Sequence, residues 1–307
     1  MGAIDQSMIA RLCSDASTCW RHLRMNALRP QPFLEVRVED TVGLPTLLGL
    51  CAGYELGQWR SRQFAKYLIR NLIEFIYPIE EWDAANSATG VEMTARAAEA
   101  VYKTTKYENR GEIGELILFS ILRSYYGSLP VVSKFYFKSA VNDTVKGFDA
   151  VHFIKGKDGL ELWLGEVKFY TDAAAAIRDV IEELHKHLEA DYLRGEFTWI
   201  GNKMRGDGPH YHEIRRLFDD KTSLDQVFPV LHIPVLITYE SKAIGTHDIV
   251  NDVYRAAIEA ELRHHFESFK GRCAIQRAAV HLILVPLGSK RALQEDFDSR
   301  LRAAQDL

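Results

Sequence analysis

The sequence predicts a mixed α/β protein, with a sheet flanked by helices and a mainly helical N-terminal accessory segment. Three observations carry this. First, Gly147-Phe148-Asp149-Ala150-Val151-His152-Phe153-Ile154 and Leu162-Trp163-Leu164-Gly165-Glu166-Val167-Lys168-Phe169 are short runs rich in β-branched and aromatic residues. Between them lies Lys155-Gly156-Lys157-Asp158-Gly159, whose Asp-Gly dipeptide favours a tight turn, so the pair reads as a hairpin. Second, the apolar run from Leu116 to Tyr126, stopped by Gly127, reads as a largely buried helix. Third, apolar runs at 228–239 and 279–286 flank a long amphipathic stretch at 248–269, a strand–helix–strand order that adds to one sheet by a crossover.

The hairpin carries the chemistry. Side chains alternate along a strand, so Glu166 and Lys168 face the same way, and antiparallel pairing brings Asp149 opposite them. Two carboxylates hold a divalent cation such as Mg²⁺ through oxygen, with water completing the shell. A neighbouring lysine orients an attacking water or neutralises charge on a phosphate. The pattern suits phosphodiester cleavage. The plain alternative is a surface ion pair, which contributes little. Short patterns also recur by chance: Glu240-Ser241-Lys242 and Asp219-Asp220-Lys221 share the acid-x-Lys spacing, but neither follows a hairpin with an aspartate at its start. Leu162, Trp163, Leu164, Val167 and Phe169 make the second strand apolar on both faces, as in a covered strand. Charges on such a strand are costly unless paired, which favours a functional reading.

Ahead of the buried helix, Arg110-Gly111-Glu112-Ile113-Gly114-Glu115 places two acids in the first turns, where they complement the helix dipole. Either acid is also a candidate third carboxylate for a metal site. Taken together, Arg110–Leu116, Lys146-Gly147-Phe148-Asp149-Ala150-Val151-His152 and Trp163-Leu164-Gly165-Glu166-Val167-Lys168-Phe169-Tyr170 resemble the HamA nuclease subunit of the Hachiman anti-phage defence system. The order helix with Gly-x-x-x-Glu, strand at 131–138, strand with Asp149, strand with Glu166-x-Lys168, helix is similar to the PD-(D/E)xK restriction-endonuclease-like core. The likeness covers roughly residues 105–290. It implies a metal-dependent DNase, using Mg²⁺ or Mn²⁺ and held by a helicase partner. By motif, Asp149 and Glu166 are then metal ligands, Lys168 the catalytic lysine and Glu115 the helix acid, with Glu112 as its rival. One departure is Phe148, where the superfamily often has proline before its aspartate.

Composition bounds the rest. A chain of 307 residues can bury a sizeable core or hold two domains, and 47% hydrophobic with 26% charged residues is ordinary for a globular protein. The net charge of −4 provides no global field for nucleic acid, which fits a DNA-acting subunit delivered or regulated by a partner. Locally, Lys134, Lys138, Lys146, Lys155, Lys157 and Lys168 crowd the hairpin region, interleaved with Asp143, Asp149, Asp158, Glu161 and Glu166. Cys13, Cys19, Cys51 and Cys273 have neither zinc-ligand nor disulfide spacing and read as reduced thiols in a cytoplasmic protein. No signal pattern or membrane-length apolar run is present.

The expected domains are an accessory or docking domain at 1–105 and a nuclease domain at 106–307. In the first, a short strand at 33–38 precedes helices at 58–77 and 86–105, and no residue there suggests chemistry. After Lys168, Thr171-Asp172 starts a helix with Ile177, Val180, Ile181, Leu184, Leu188 and Tyr192 on one face, leaving His185 and His187 on a solvated face. The stretch 201–212 reads as a surface loop, and 290–307 as a polar helix. Two rival functions remain. One is a non-catalytic nucleic-acid or helicase-binding module on a nuclease-like fold. The other is a nucleotide-binding enzyme, which lacks the Gly-x-x-x-x-Gly-Lys loop it would need.

Overall fold

The structure, a computed structural model, describes residues 30–101, 111–132, 147–156, 159–204 and 210–307. Its strands are β1 (Glu35–Asp40), β2 (Thr46–Cys51), β3 (Tyr54–Glu55), β4 (Gln58–Trp59), β5 (Leu129–Pro130), β6 (Ala150–Lys155), β7 (Leu160–Phe169), β8 (Leu231–Glu240) and β9 (Ala279–Leu287). The α-helices are α1 (Ser61–Arg70), α2 (Leu72–Ile76), α3 (Gly90–Val101), α4 (Glu112–Ile121), α5 (Ala173–His187), α6 (Ala190–Lys203), α7 (Tyr211–Leu217), α8 (Leu224–Val227), α9 (Lys242–Gly245), α10 (Asp252–Lys270) and α11 (Lys290–Gln305).

Seven strands form one mixed sheet in the order β1-β2-β9-β8-β7-β6-β5. The predicted hairpin is there: β6 and β7 are antiparallel, with Ala150 opposite Gly165 and Lys155 opposite Leu160. The crossover is there too, since β7, β8 and β9 are parallel neighbours. Their middle stretches, such as Ile233–Ile237 and Leu282–Val285, are buried on both faces, as parallel strands under helices must be. One face packs against α5, α6 and α10 through Ile177, Val180, Phe197, Ile258 and Leu262. The other packs against α1, α3, α4 and α11 through Phe64, Leu68, Ala97, Leu116, Leu118 and Phe297.

The helix ends follow the sequence. Asp172 caps α5 by accepting from the Ala175 amide at 2.6 Å. After α4 the chain makes one wider turn, Leu122–Tyr126, and stops at Gly127 with φ 66, the left-handed value that glycine adopts without strain. The single helix expected across 173–192 is two, because the backbone turns extended at Glu189 before α6 begins. Strand β2 has no counterpart among the expected elements; its run Thr46-Leu47-Leu48-Gly49-Leu50-Cys51 lacks the period-2 alternation that marks a half-buried strand, because it is covered on both faces. The strand expected at 131–138 lies largely outside the described residues, although the Val131 amide donates to the Val151 carbonyl at 2.8 Å, continuing the β5–β6 pairing.

Residues 30–101 share this sheet and core. Strand β2 pairs parallel to β9, with Thr46 beside His281 and Gly49 beside Leu284. Helices α1 and α3 meet α11: Ser61 Oγ donates to Asp296 Oδ2 at 2.6 Å, and Gln305 Nε2 donates to the Ala98 carbonyl at 3.0 Å. The boundary expected between 105 and 106 falls outside the described residues.

Two glycines let α4 lie close on the sheet behind the candidate site. A Cβ on Gly165 would come within 2.6 Å of Leu118 and 3.0 Å of the Ala150 Cβ, and one on Gly114 within 2.6 Å of Val167. Gly111, at the start of the same helix, has open space around it. We therefore expect Gly165→Ala to lower unfolding free energy by about 1–3 kcal/mol through overpacking, while Gly111→Ala is neutral or slightly stabilising. Urea denaturation of both variants checks this, and equal effects would contradict the close approach.

Candidate functional site

The pairing of β6 with β7 sets the geometry. Because Ala150 is opposite Gly165, Asp149 lies beside Glu166 at the strand end. The Asp149 amide donates to the Gly165 carbonyl at 2.8 Å, and the Val167 amide donates to Asp149 Oδ2 at 2.9 Å. The aspartate carboxylate is thus fixed by the backbone of the strand that carries Glu166 and Lys168. Those two are 4% and 7% exposed, so both charged groups are buried on an interior strand. Lys168 Nζ lies 3.4 Å from Glu166 Oε1.

Two further residues complete the cluster, both from α5. Lys168 Nζ also donates to Glu183 Oε2. One turn later, His187 Nδ1 lies 3.2 Å from Glu166 Oε2, without the alignment of a hydrogen bond; both atoms are buried and lack a hydrogen-bond partner. The His187 ring stacks on Tyr192 at 4.4 Å between centroids and meets the edge of Phe148 at 5.2 Å. His187 is therefore packed, contrary to the solvated face expected of it, while His185 is exposed as anticipated. A signal was available. Glu183 and His187 follow Ala176 and Val180 at a spacing of seven, so they prolong the buried stripe of α5.

Burial is the main cause of an upward shift that carries Glu166 to about 7, with the Asp149 charge and the proton shared with Glu183 adding to it, against His187 and Lys168. For Glu183, burial pushes upward, but hydrogen bonds from Glu166 and Lys168 outweigh it and hold the carboxyl below its usual range. We assign the shared proton to Glu166, since Glu183 is half-exposed and water stabilises its charge. Burial alone would lower Lys168, yet the Glu183 hydrogen bond and the charges of Glu166, Glu183 and Asp149 raise it, so it stays an ammonium.

Glu115 approaches from the other side of the sheet. It lines a cavity together with Asp149, Phe75, Phe119, Pro130 and His152, a lining that includes neither Glu112 nor the Glu166–Lys168 pair. Asp149 is common to both groups. Among the described residues, no three His, Cys, Asp or Glu side chains are grouped so as to enclose a metal ion. Lys134, Lys138, Lys146 and Lys157 of the expected basic region, with Asp143 and Asp158, lie outside the described residues, as does Arg110. Cys51 and Cys273 are free thiols, and Cys13 and Cys19 lie outside the described residues. No helix among the described residues is long and apolar enough to cross a membrane.

An α/β sheet holding a buried acid–acid–lysine cluster at a hairpin end defines the class of protein. Within it, the HamA family profile matches residues 31–301, and the chain belongs to that family, a component of the multi-component Hachiman anti-phage defence system. No curated protein matches the chain.

The raised Glu166 value has a definite sign. An acid whose folded pKa lies above its unfolded value makes folding less favourable as pH rises from about 4.5 to about 7, with the full penalty present above that. Glu166→Gln removes it. In chelator-containing buffer, the stability of Glu166→Gln relative to wild type should improve between pH 5 and pH 8 by about 1–3 kcal/mol. Thermal unfolding at both pH values measures this; a difference independent of pH contradicts the assignment.

Proposed function

We propose that this chain is a metal-dependent DNase with a PD-(D/E)xK-type core, acting in cytoplasmic anti-phage defence and restrained or triggered by a helicase partner. The observation that carries the reading is the convergence of Asp149, Glu166 and Lys168 on one buried strand end, with the aspartate fixed by the Val167 amide. Membership of the HamA family supports the setting in defence.

The residues present suit a hard divalent cation. The candidate donors Asp149, Glu166 and, across the strand end, Glu115 are all carboxylates, and Glu166 Oε2 is a buried oxygen without a hydrogen-bond partner. Asp149 and Glu166, with Glu115 as the third acid and Glu112 its rival, would hold Mg²⁺ or Mn²⁺, which polarises the scissile phosphate and acidifies a water when bound. The rest falls to the chain. Lys168, kept charged by the acids around it, orients the attacking water and neutralises charge building on the phosphate oxygens. A lysine held this way works as a hydrogen-bond donor rather than as a general base.

A DNase in the cytoplasm must be masked or triggered. The net charge of −4 argues against strong unaided DNA binding, so a partner that delivers DNA fits the chain. We take that partner to be the helicase of the same system.

Glu166→Ala and Lys168→Ala should each cut DNA cleavage by about 10²- to 10⁴-fold, with the fold retained by circular dichroism. Chelation should stop wild-type cleavage, and Mg²⁺ or Mn²⁺ should restore it. Near wild-type cleavage by both variants, or cleavage unaffected by chelator, sinks the reading. Regulation is tested by co-expression with the neighbouring helicase, size-exclusion chromatography, and cleavage with and without ATP. Separate elution and equal cleavage with or without the helicase contradict it.

A further inference from the structure

We propose that Glu183 is a positioning residue for Lys168, and that His187 does the same for Glu166, so that one turn of α5 clamps both functional side chains of β7. This rests on the nuclease reading for its consequence in catalysis, but its geometry stands apart from it.

The argument starts from the length and freedom of a lysine side chain. Lys168 has four rotatable carbons and a compact ammonium, which without a fixed partner samples many rotamers. Here the ammonium is bracketed: Glu166 Oε1 lies 3.4 Å away on its own strand, and Glu183 Oε2 accepts from it across the gap to α5. The strand partner moves with the lysine, two residues along the same backbone. Among the described residues, Glu183 is the hydrogen-bond partner that ties it to a second element, and that element is fixed in turn. Ala176, Ile177, Val180 and Leu184 of α5 are completely buried against the sheet. Asp172 caps the same helix at its start.

His187 stands one turn along, with its Nδ1 3.2 Å from Glu166 Oε2. Its ring is wedged between Tyr192 and Phe148, and Phe148 immediately precedes Asp149. The residue that takes the place of the usual proline is thus part of the support for the histidine, and it is 1% exposed. The spacing matters. Glu166 and Lys168 are two apart on a strand, about 7 Å along its axis, and Glu183 and His187 are four apart on a helix, about 6 Å along its axis. The two pairs match in length, so Lys168 finds Glu183 and Glu166 finds His187 on the facing helix. Neither helix residue belongs to the acid–acid–lysine pattern.

The experiment uses the full chain and reads Lys168 itself. The protein is treated with N-hydroxysuccinimidyl acetate, and acetylation at each lysine is followed by peptide mass spectrometry. In wild type, Lys168 should be protected. Glu183→Ala should raise its labelling several-fold while other lysines and the melting temperature stay as in wild type, and Glu183→Gln, which retains an acceptor oxygen, should recover most of the protection. In DNA cleavage with Mg²⁺, Glu183→Ala should lower kcat by about 10- to 100-fold with KM little changed, and Glu183→Gln should again recover much of it. For the second residue, His187→Asn keeps a polar nitrogen near the Nδ1 position and should retain activity, whereas His187→Phe keeps the ring packing and should lose it. Labelling of Lys168 unchanged in Glu183→Ala overturns the proposal, as does a rise shared by all lysines with a fallen melting temperature. A wild-type chain that cleaves no DNA either alone or together with the helicase overturns the nuclease reading only, because the labelling result still decides the role of Glu183.

Discussion

The structure depends on the burial of a carboxyl and an ammonium side by side on β7. Taking the ammonium out of water costs several kcal/mol, and attraction to the carboxylates around it offsets this only with good geometry and further partners. The fold provides those partners from three directions: Asp149 across the hairpin, Glu183 and His187 from α5, and the backbone of Val167 for the aspartate itself. A surface ion pair needs none of this. The cluster is overbuilt for a stabilising contact, because replacing it with apolar side chains of similar volume would serve the core equally well.

The sheet explains why the cluster sits where it does. β7 lies between an antiparallel neighbour and a parallel one, so its end is where the hairpin residue and the crossover helix both arrive. In open α/β sheets, the space beyond the carboxyl ends of the parallel strands is where ligands bind. Glu166 and Lys168 are near that end of β7, and Glu115 reaches the same end from the opposite face by way of the Asp149 cavity. Gly114 and Gly165 permit the close approach of α4 that this requires.

Much of this was legible in the sequence, for physical reasons that can be named. The hairpin was readable because turn chemistry and β-branched runs are local, and the pairing of Asp149 with Glu166 follows once the turn is placed. The β8–β9 crossover was readable from two apolar runs separated by a helical period. Strand β2 was not, since a short run buried on both faces carries no periodicity. Its pairing with β9 was out of reach as well, since the two are far apart in sequence. Glu183 and His187 were missed for another reason: a polar residue on a helix is normally solvated, so their place on the stripe of Ala176 and Val180 goes unremarked beside their polarity. Glu112 and Glu115 share a helix start that sequence cannot resolve; the cavity lining contains Glu115 and not its rival.

Family membership places the chain in a defence system, and the chemistry proposed for it there rests on the buried cluster. The central claim is that Asp149 and Glu166 form a cation site beside a charged Lys168. Crystals soaked in Mn²⁺ and measured at the manganese edge test it most directly. The account predicts an anomalous peak contacting Asp149 and Glu166, with Lys168 retained beside it, and its loss in Glu166→Gln. Manganese bound elsewhere on the molecule, with no peak at Asp149 and Glu166, would contradict it.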